Sequence, residues 1–544
     1  MRAGAGAVDC VLIGFNDFDF PEYVQSVAAT GRHAGAFQDV RLSYVDIDGQ
    51  PLRALDVLSR YHQPVATRRF HNADFLWPVI TYLGTFLARH GFTFDYVNLF
   101  QEEKERLADV LRSGRVRTVA ITTTLYVSPH PIQEIVGFVR DRAPDVTIIV
   151  GGPYIANLMA AAHGPGLEAA LSNLGADIYV VGREGELALS RTLAALRDGR
   201  ELHAVDNLVF RQGSGWVYTR QAPESNSLSE NMVDYKLFPP SAFTEFVTTR
   251  TAKSCPFSCS FCGFPQRAGK YTYLELADVE RELDNIAALP GISAVTFIDD
   301  TFNVPKVRFR EILQLMIDKR YRFRWNSYYR SDHGDARTID MMRQAGCEGV
   351  FLGIESGSDE QLSRMNKTAR RADYLSALRE FRRAGISTYA SLIVGFPGET
   401  AETVAETESL LVQGQPDFFR AQLWYCDPVT PIWQRRKEFG IAGRGFTWRH
   451  DTMDAAEACA HIERIFGSID SPIWMPQYGF EQWSVFYLLR RGMSMEGIKD
   501  FLRAFNAVVR EQIRHPDRAE IHPALLDRLI SSCQFDEAPI SLAS

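Results

Sequence analysis

The chain has 544 residues, of which 46% are hydrophobic and 23% charged. These are ordinary globular proportions, which exclude global disorder, and at roughly 150 residues per domain they allow three or four domains. Lys and Arg total 59 against 67 Asp and Glu, a net charge of −8, so the chain lacks the bulk attraction for phosphate that a general nucleic-acid binder needs. No apolar run reaches the roughly 18 residues of a membrane span. The start, MRAGAGAVDCVLIGFND, breaks its short apolar stretch at Asn16 and Asp17. It reads as a first strand and not as a secretory leader, and a cytoplasmic location with reduced thiols is expected.

Strands are predicted over 8–15 (VDCVLIGF), 94–100 (FDYVNLF), 117–126, 146–152 and 176–182. Helical spacing over 76–90, 102–113 and 131–142 alternates with them, and a helix over 184–196 follows. Strands that are apolar throughout, separated by helices, imply a parallel sheet covered on both faces. A Rossmann-like domain is therefore expected over 1–200. Within it, 16–75 is an insertion in which Tyr44, Val45, Ile47 and Gly49 suggest one extra strand and a turn. Short strands and turns in NLVFRQGSGWVYTR and then the polar stretch PESNSLSEN mark 201–245 as a linker.

A second alternation begins near 246. Strands are predicted over 246–252, 294–300, 323–329, 349–356, 387–397 and 418–426, with helices over 275–288, 307–319, 335–345, 370–384 and 400–412. Six β/α units over 246–435 are too few for a closed eight-fold barrel. The segment 436–544 shows helical patterns and no clear strand. Its aromatics Trp448, Trp474, Tyr478, Trp483, Phe486 and Tyr487 read as core, whereas Trp424 and Tyr425 on the sixth strand are expected to line the barrel.

Eight cysteines are present, and three crowd into CPFSCSFC as Cys255, Cys259 and Cys262. Three thiolates on one tight loop can hold three irons of a cubane and leave the fourth open to a ligand. Structural zinc is the competing reading, but it usually takes four protein ligands, and no second Cys/His pair lies nearby. The single cysteines Cys10, Cys347, Cys426 and Cys459 read as small buried hydrophobes. Cys426, at a strand end, is the one to test for redox involvement. Asp299 and Asp300 in FIDDTF close a strand and are either site residues or helix caps.

This C-x3-C-x2-C motif, with Phe261 before the third cysteine and the loop after the first strand of a six-fold array, resembles that of the radical S-adenosylmethionine (SAM) superfamily. GIESGSDEQL (353–362) resembles its fourth-strand SAM contact and SLIVGFPGET (391–400) its fifth-strand one. The resemblance implies a partial (β/α)6 barrel, a [4Fe–4S] cluster on Cys255, Cys259 and Cys262, and SAM contacts from Phe261, Glu355, Ser356, Gly395 and Gly398, with Arg330 on the SAM carboxylate.

A five-strand parallel domain directly before such a barrel resembles the cobalamin-binding domain of the B12-dependent radical SAM class. ITTTLY (121–126), IVGGPYIAN (149–157) and VVGREGE (180–186) carry that likeness. It implies cobalamin contacts from Thr122, Thr123, Thr124, Gly151, Gly152, Pro153, Tyr154, Gly182 and Glu184. The D-x-H-x-x-G signature is absent, so the likeness implies cobalamin without a histidine ligand. Arg68 and Arg69 either approach the corrin or form a solvated pair. GxGxxG is absent after the first strand, which disfavours a dinucleotide.

The implied activity is that of a cobalamin-dependent methyltransferase. One SAM methylates cobalt, a second gives a 5′-deoxyadenosyl radical, and the substrate radical takes the methyl group. The substrate would be a small molecule or peptide in natural-product biosynthesis, methylated on unactivated carbon or on phosphinate phosphorus. The opening DCVLIGFNDFDF resembles the phosphinothricin-type P-methyltransferases, and the layout resembles the tryptophan 2-C-methyltransferases. A flavodoxin or ferredoxin would supply electrons. Neither nucleic acid nor membrane is expected as a partner. A cyclase or ring-rearranging enzyme with the same cofactors is the alternative, and a non-catalytic Fe–S/B12 sensor a more distant one.

Overall fold

The computed structural model of the chain describes residues 6–64, 69–126, 128–518 and 520–537. The first sheet is built from β1 (Val8–Phe15), β4 (Phe94–Leu99), β5 (Val116–Thr122), β6 (Thr147–Gly151) and β7 (Ile178–Val180). These are parallel, in the order β4-β1-β5-β6-β7. The order places a topological switch between β1 and β5, where open parallel sheets bind ligands at their carboxyl ends. β1 is buried almost throughout because helices cover both faces.

The insertion 16–75 holds more than one strand. It carries helices Phe20–Ala28 and Gly35–Val40, a hairpin of β2 (Tyr44–Ile47) and β3 (Gln50–Arg53), and helix Ala54–Tyr61. Helix Pro78–Arg89 follows and leads into β4.

The stretch 201–245, expected as a linker, is partly sheet. β8 (Leu208–Gln212) pairs antiparallel with β7, and β9 (Gly215–Tyr218) pairs with β8. A tight turn joins them, with Gly213 at φ +59°, a backbone angle that glycine adopts without strain.

The second sheet contains β10 (Phe246–Thr249), β13 (Ala294–Phe297), β14 (Arg324–Tyr329), β15 (Cys347–Glu355), β16 (Ser387–Val394) and β17 (Phe418–Leu423), all parallel and in chain order. Between β10 and β13, β11 (Ala252–Lys253) and β12 (Thr272–Tyr273) form a small antiparallel ribbon around the cysteine loop. The tail adds strands where none was expected. β18 (Arg449–His450) pairs with β19 (Met453–Asp454), and β20 (Ile473–Trp474) joins β17 as a seventh strand.

β20 pairs only with Phe418 and Phe419, so the rest of the β17 edge is covered from elsewhere. Helix Gly35–Val40 of the insertion lies there, and Arg420 donates to Asp39 at 3.3 Å. At the other edge Phe75 packs at a tilt against Phe246, ring centroids 5.4 Å apart, and Thr244 Oγ1 donates to Asp74 O at 3.3 Å. The insertion thus closes the open side of the partial barrel. Helix Gln482–Arg490 seals the amino end of the strands: Arg490 pairs with Glu348 at 2.7 Å. Among the described residues no helix is long and apolar enough to cross a membrane.

Candidate active site at the domain junction

Cys255, Cys259 and Cys262 follow β11, beyond the carboxyl end of β10. Two backbone bonds and one side-chain bond pin the loop. Ser260 N donates to Met365 O and Ile432 N to Ser260 O, both at 2.9 Å, and Asn366 Nδ2 donates to Ser258 O at 2.8 Å. The three thiols are free and half-buried. Burial, with the neighbouring thiols adding to it, pushes Cys262 up to about 11. Cationic iron would reverse that and hold thiolates. Among the described residues no three His, Cys, Asp or Glu side chains stand close enough to share one metal ion. A cubane makes no such demand, because each thiolate takes its own iron. The donor set, three thiols on one anchored loop, fits a cubane.

Two cations stand beside this loop. The Arg330 guanidinium lies 3.6 Å from the Phe257 ring centroid, pairs with Asp332 at 3.0 Å, and sets Nη1 4.0 Å from Cys259 Sγ. Lys367 is buried under Tyr374, with Nζ 3.3 Å from Glu355 Oε1 and donating to Gly353 O. Burial works against its charge, but Tyr374, Glu355 and Cys259 together hold the ammonium above the usual lysine range. Glu355 ends β15 at φ +68°, a strained angle for a residue with a Cβ. Lys367 was absent from the sequence reading; a lysine after a short helix carries no signal until packing buries it.

Other expected SAM residues are engaged within the protein. Ser356 Oγ accepts from Ser358 N at 3.1 Å and lies 3.3 Å from Thr407 Oγ1, fully buried, so it shapes the turn after β15 and is not free for a ligand. Gly395, at φ +91°, packs its α-carbon against the Trp448 ring, so the close approach it permits is that of Trp448. Gly398 O accepts from Arg364 Nη1 at 2.5 Å. Glu399, missed in the sequence, closes this turn by accepting from Gly395 N, and burial pushes its carboxyl up to about 8. Phe261 stands edge-on to Phe396, centroids 6.4 Å apart, beside Trp424. Asp299 is neither a cap nor exposed. It accepts from Thr251 N at 2.9 Å and ties β13 to the start of the cysteine loop.

On the first sheet, several expected contacts stitch strand ends together. Thr122 Oγ1 donates to Ile13 O at 3.1 Å, which spends its hydroxyl inside the sheet. Thr123 Oγ1 donates to Gly151 O at 2.9 Å and accepts from Tyr154 N at 3.2 Å. Gly152, at φ +110°, leaves no room for a Cβ, which would stand 2.8 Å from Thr123 Oγ1. Pro153 opens helix Pro153–Ala161. Thr124 and Tyr154 keep accessible surface. Leu125, at φ +68°, is 61% exposed. Arg69 pairs with Asp56 at 2.7 Å and Glu102 at 3.3 Å; Arg68 lies outside the described residues. His71 has both ring nitrogens engaged, Nε2 with Asp17 at 2.9 Å and Nδ1 with Ala73 N at 3.1 Å.

The two modules meet here. Glu184, after β7, is ion-paired with Lys253 of β11. Tyr154 and Tyr425 are electrostatic neighbours, and Tyr425 is 55% exposed; it lies at the junction, while Trp424 is buried between Phe396 and Trp448. A cavity of about 770 Å³ is lined by Gly182 and Glu184, the segment 221–229, Lys253 and the β12 ribbon. Thr122, Thr123, Thr124 and Gly151 through Tyr154 do not line it, so the expected cobalamin residues divide into two groups. Exposed Leu125 and Tyr425, with the unpartnered buried oxygens Asn157 Oδ1 and Glu184 Oε2, fit a large ligand that is apolar on its face and carries amides at its rim.

Residues 250–411 match the model of the radical SAM superfamily. An uncharacterized methyltransferase of Pyrococcus horikoshii is 25% identical over 358 residues, 63% of this chain and 74% of that protein. The anaerobic magnesium-protoporphyrin IX monomethyl ester cyclase of Cereibacter sphaeroides is 24% identical over 383 residues, 66% of this chain and 61% of that protein. The solved radical SAM methyltransferase TsrM of Kitasatospora setae, with tryptophan and a SAM analogue bound, superposes with a TM-score of 0.55 at 20% identity, over 79% of this chain and 76% of that one. The cobalamin-dependent radical enzyme OxsB with aqua-cobalamin bound gives a TM-score of 0.53 at 13% identity, over 83% and 80%. Residues 250–411 thus match the radical SAM superfamily, and with the Rossmann-like domain before them the chain shares the fold of TsrM and OxsB.

Proposed function

We propose that this enzyme is a cobalamin-dependent radical SAM methyltransferase acting on an unactivated carbon or a phosphinate phosphorus of a small-molecule or peptide substrate. The observation that carries this reading is the apposition of the cysteine loop to the ligand-binding edge of the first sheet, tied by Lys253 and Glu184. When bound, the cluster supplies the electron that cleaves SAM to a 5′-deoxyadenosyl radical, and cobalamin supplies the methyl group.

The chain's own residues hold and shield. Cys255, Cys259 and Cys262 would ligate the cluster. Arg330 and Lys367 would neutralise the SAM carboxylate, and Glu355 would take its ammonium. Phe261, Phe396 and Trp424 form an apolar wall that excludes water from a reactive radical. Thr124, Leu125, Tyr154 and Tyr425 would border the corrin. A flavodoxin or ferredoxin would deliver electrons.

The name of the Pyrococcus relative supports methyl transfer. The alignment with the magnesium-protoporphyrin cyclase over 66% of this chain supports the second reading, ring formation without methyl transfer. Anaerobic turnover with methyl-deuterated SAM separates them. A methyltransferase forms both 5′-deoxyadenosine and S-adenosylhomocysteine and adds a labelled methyl to its product. A cyclase forms 5′-deoxyadenosine without S-adenosylhomocysteine. A cluster-loaded, reduced protein that forms no 5′-deoxyadenosine contradicts both.

A further inference from the structure

Two contacts fasten the segment after β17 to the cysteine loop. Arg267, just past Cys262, pairs with Asp427, and Ile432 N donates at 2.9 Å to the carbonyl of Ser260, between Cys259 and Cys262. Asp427 also accepts from Val429 N at 3.0 Å, which tightens the turn between them. Pro431 then opens a short helical turn, Pro431–Arg435. Its Trp433 is thus one peptide unit from the residue that touches the loop, and it is only half-buried.

Positive charge gathers on this indole. The Arg436 and Arg444 guanidiniums lie 5.3 and 5.7 Å from the Trp433 ring centroid. Arg436 Nη1 donates to Trp433 O at 3.1 Å, and Arg435 pairs with Glu438 at 2.7 Å. Arg436, Lys437 and Arg444 are exposed and form no ion pair among the described residues. From 435 to 444 the chain carries four cations and one carboxylate, Glu438, although its net charge is −8. Three such cations on one small surface repel one another, which an anionic partner would offset. An accessible tryptophan flanked by arginines is also the composition that recognition surfaces favour.

An electron carrier needs what this patch has. It must come close to the cluster, since electron transfer slows steeply with distance. It must also leave again, which calls for a small, charge-guided contact and not a large apolar one. A basic patch on an acidic protein fixes where an acidic carrier lands, because the rest of the surface repels it.

We propose that an acidic one-electron carrier protein docks on Trp433, Arg436, Lys437 and Arg444, and that its electron reaches the cluster by way of Ile432 and Ser260. This locates the electron donor of the activity proposed above and rests on that reading. The carrier loses one electron and the cluster gains it. With flavodoxin, the anionic flavin hydroquinone becomes the neutral semiquinone, so no proton and no bond moves.

The test is calorimetric titration of the full-length, cluster-loaded protein with flavodoxin and with a plant-type ferredoxin, both acidic. At least one should bind, and more tightly at low than at physiological salt. Arg436→Gln/Arg444→Gln should weaken that binding at least about fivefold at low salt and flatten its salt dependence. Lys437→Gln alone should weaken it about twofold, and decides the question should the pair not fold. Arg322→Gln/Arg379→Gln removes two exposed arginines, one just before β14 and one on helix Arg371–Ala384, and should change it less than about twofold. In stopped flow, cluster reduction by flavodoxin hydroquinone should slow in Arg436→Gln/Arg444→Gln. Photoreduced deazariboflavin, small and uncharged, should reduce parent and variant alike. No binding of either carrier, an unchanged Kd in Arg436→Gln/Arg444→Gln, or an equal loss in the control pair overturns the proposal. A chain that takes up no cluster fails the reading above, whereas a loaded chain whose carrier binding is unmoved fails only this one.

Discussion

Lys253, two residues before Cys255, is ion-paired with Glu184 at the end of β7, and each side chain is 17% exposed. One contact thus joins the base of the cysteine loop to the edge of the other module's sheet. Removing one partner leaves the other charge half-buried and alone, which costs more than the pair itself contributes. Glu184→Gln and Lys253→Met should each destabilise the chain by about 1–3 kcal/mol. Hydrogen exchange should quicken at 178–184 and 250–254 and stay unchanged in β14 and β15. Uniform quickening would show that the pair does not couple the modules.

The cysteines differ in what surrounds them. Cys255→Ala, Cys259→Ala and Cys262→Ala should each abolish the visible absorbance of a reconstituted cluster and the formation of 5′-deoxyadenosine. Cys426 is buried, its thiol directed at Gly443 O at 3.8 Å, and burial pushes it up to about 11. Cys426 lies outside the cysteine loop, its backbone paired with Gly445 and its thiol spent on Gly443. Cys426→Ala should keep full cluster absorbance. Intact turnover in any of the first three variants would refute the ligand assignment.

Glu399 should make stability depend on pH. Its folded-state carboxyl titrates at about 8 against an ordinary value of 4.5, because burial disfavours its charge. The folded state therefore binds more protons than the unfolded chain between those values. Its contribution is complete below about pH 4.5 and is lost as pH rises through about 8. Glu399→Gln keeps an acceptor for Gly395 N and cannot ionise. The variant should gain stability relative to the parent as pH climbs from 5 to 8, read as the difference in thermal midpoint. A constant difference across that range would show that Glu399 is ionised in the fold.

Gly395→Ala should cost about 2–4 kcal/mol, since a Cβ there meets the Trp448 ring and the backbone stands at φ +91°. Denaturant unfolding measures it. A loss below about 1 kcal/mol would mean that Trp448 moves aside freely.

Much of this architecture was legible in the residues. Runs such as VDCVLIGF and AVTFIDD are apolar over a strand's length and bounded by polar breaks, so burial on both faces could be read directly. The short strands and turn of 208–218 could be read from NLVFRQGSGWVYTR, but their pairing onto β7 could not, because it joins segments that no local pattern links. β20 is two residues long and exists only through its pairing with β17. Side-chain roles were harder still. The cysteine spacing is local and therefore readable. Ser356 and Thr122 look available in sequence, yet the fold spends their hydroxyls on Thr407 and on Ile13. Lys367, Glu399 and Arg420 gain their character from burial, which no neighbouring residue in the chain announces.

The most direct measurement of the central claim is the iron, sulfide and corrinoid content of the full chain after anaerobic reconstitution and desalting, with zinc measured alongside. The account predicts one [4Fe–4S] cluster and one tightly held corrinoid per chain, the cluster lost and the corrinoid kept in Cys259→Ala. Zinc in place of iron, or a corrinoid that washes away from the fully loaded protein, would contradict it.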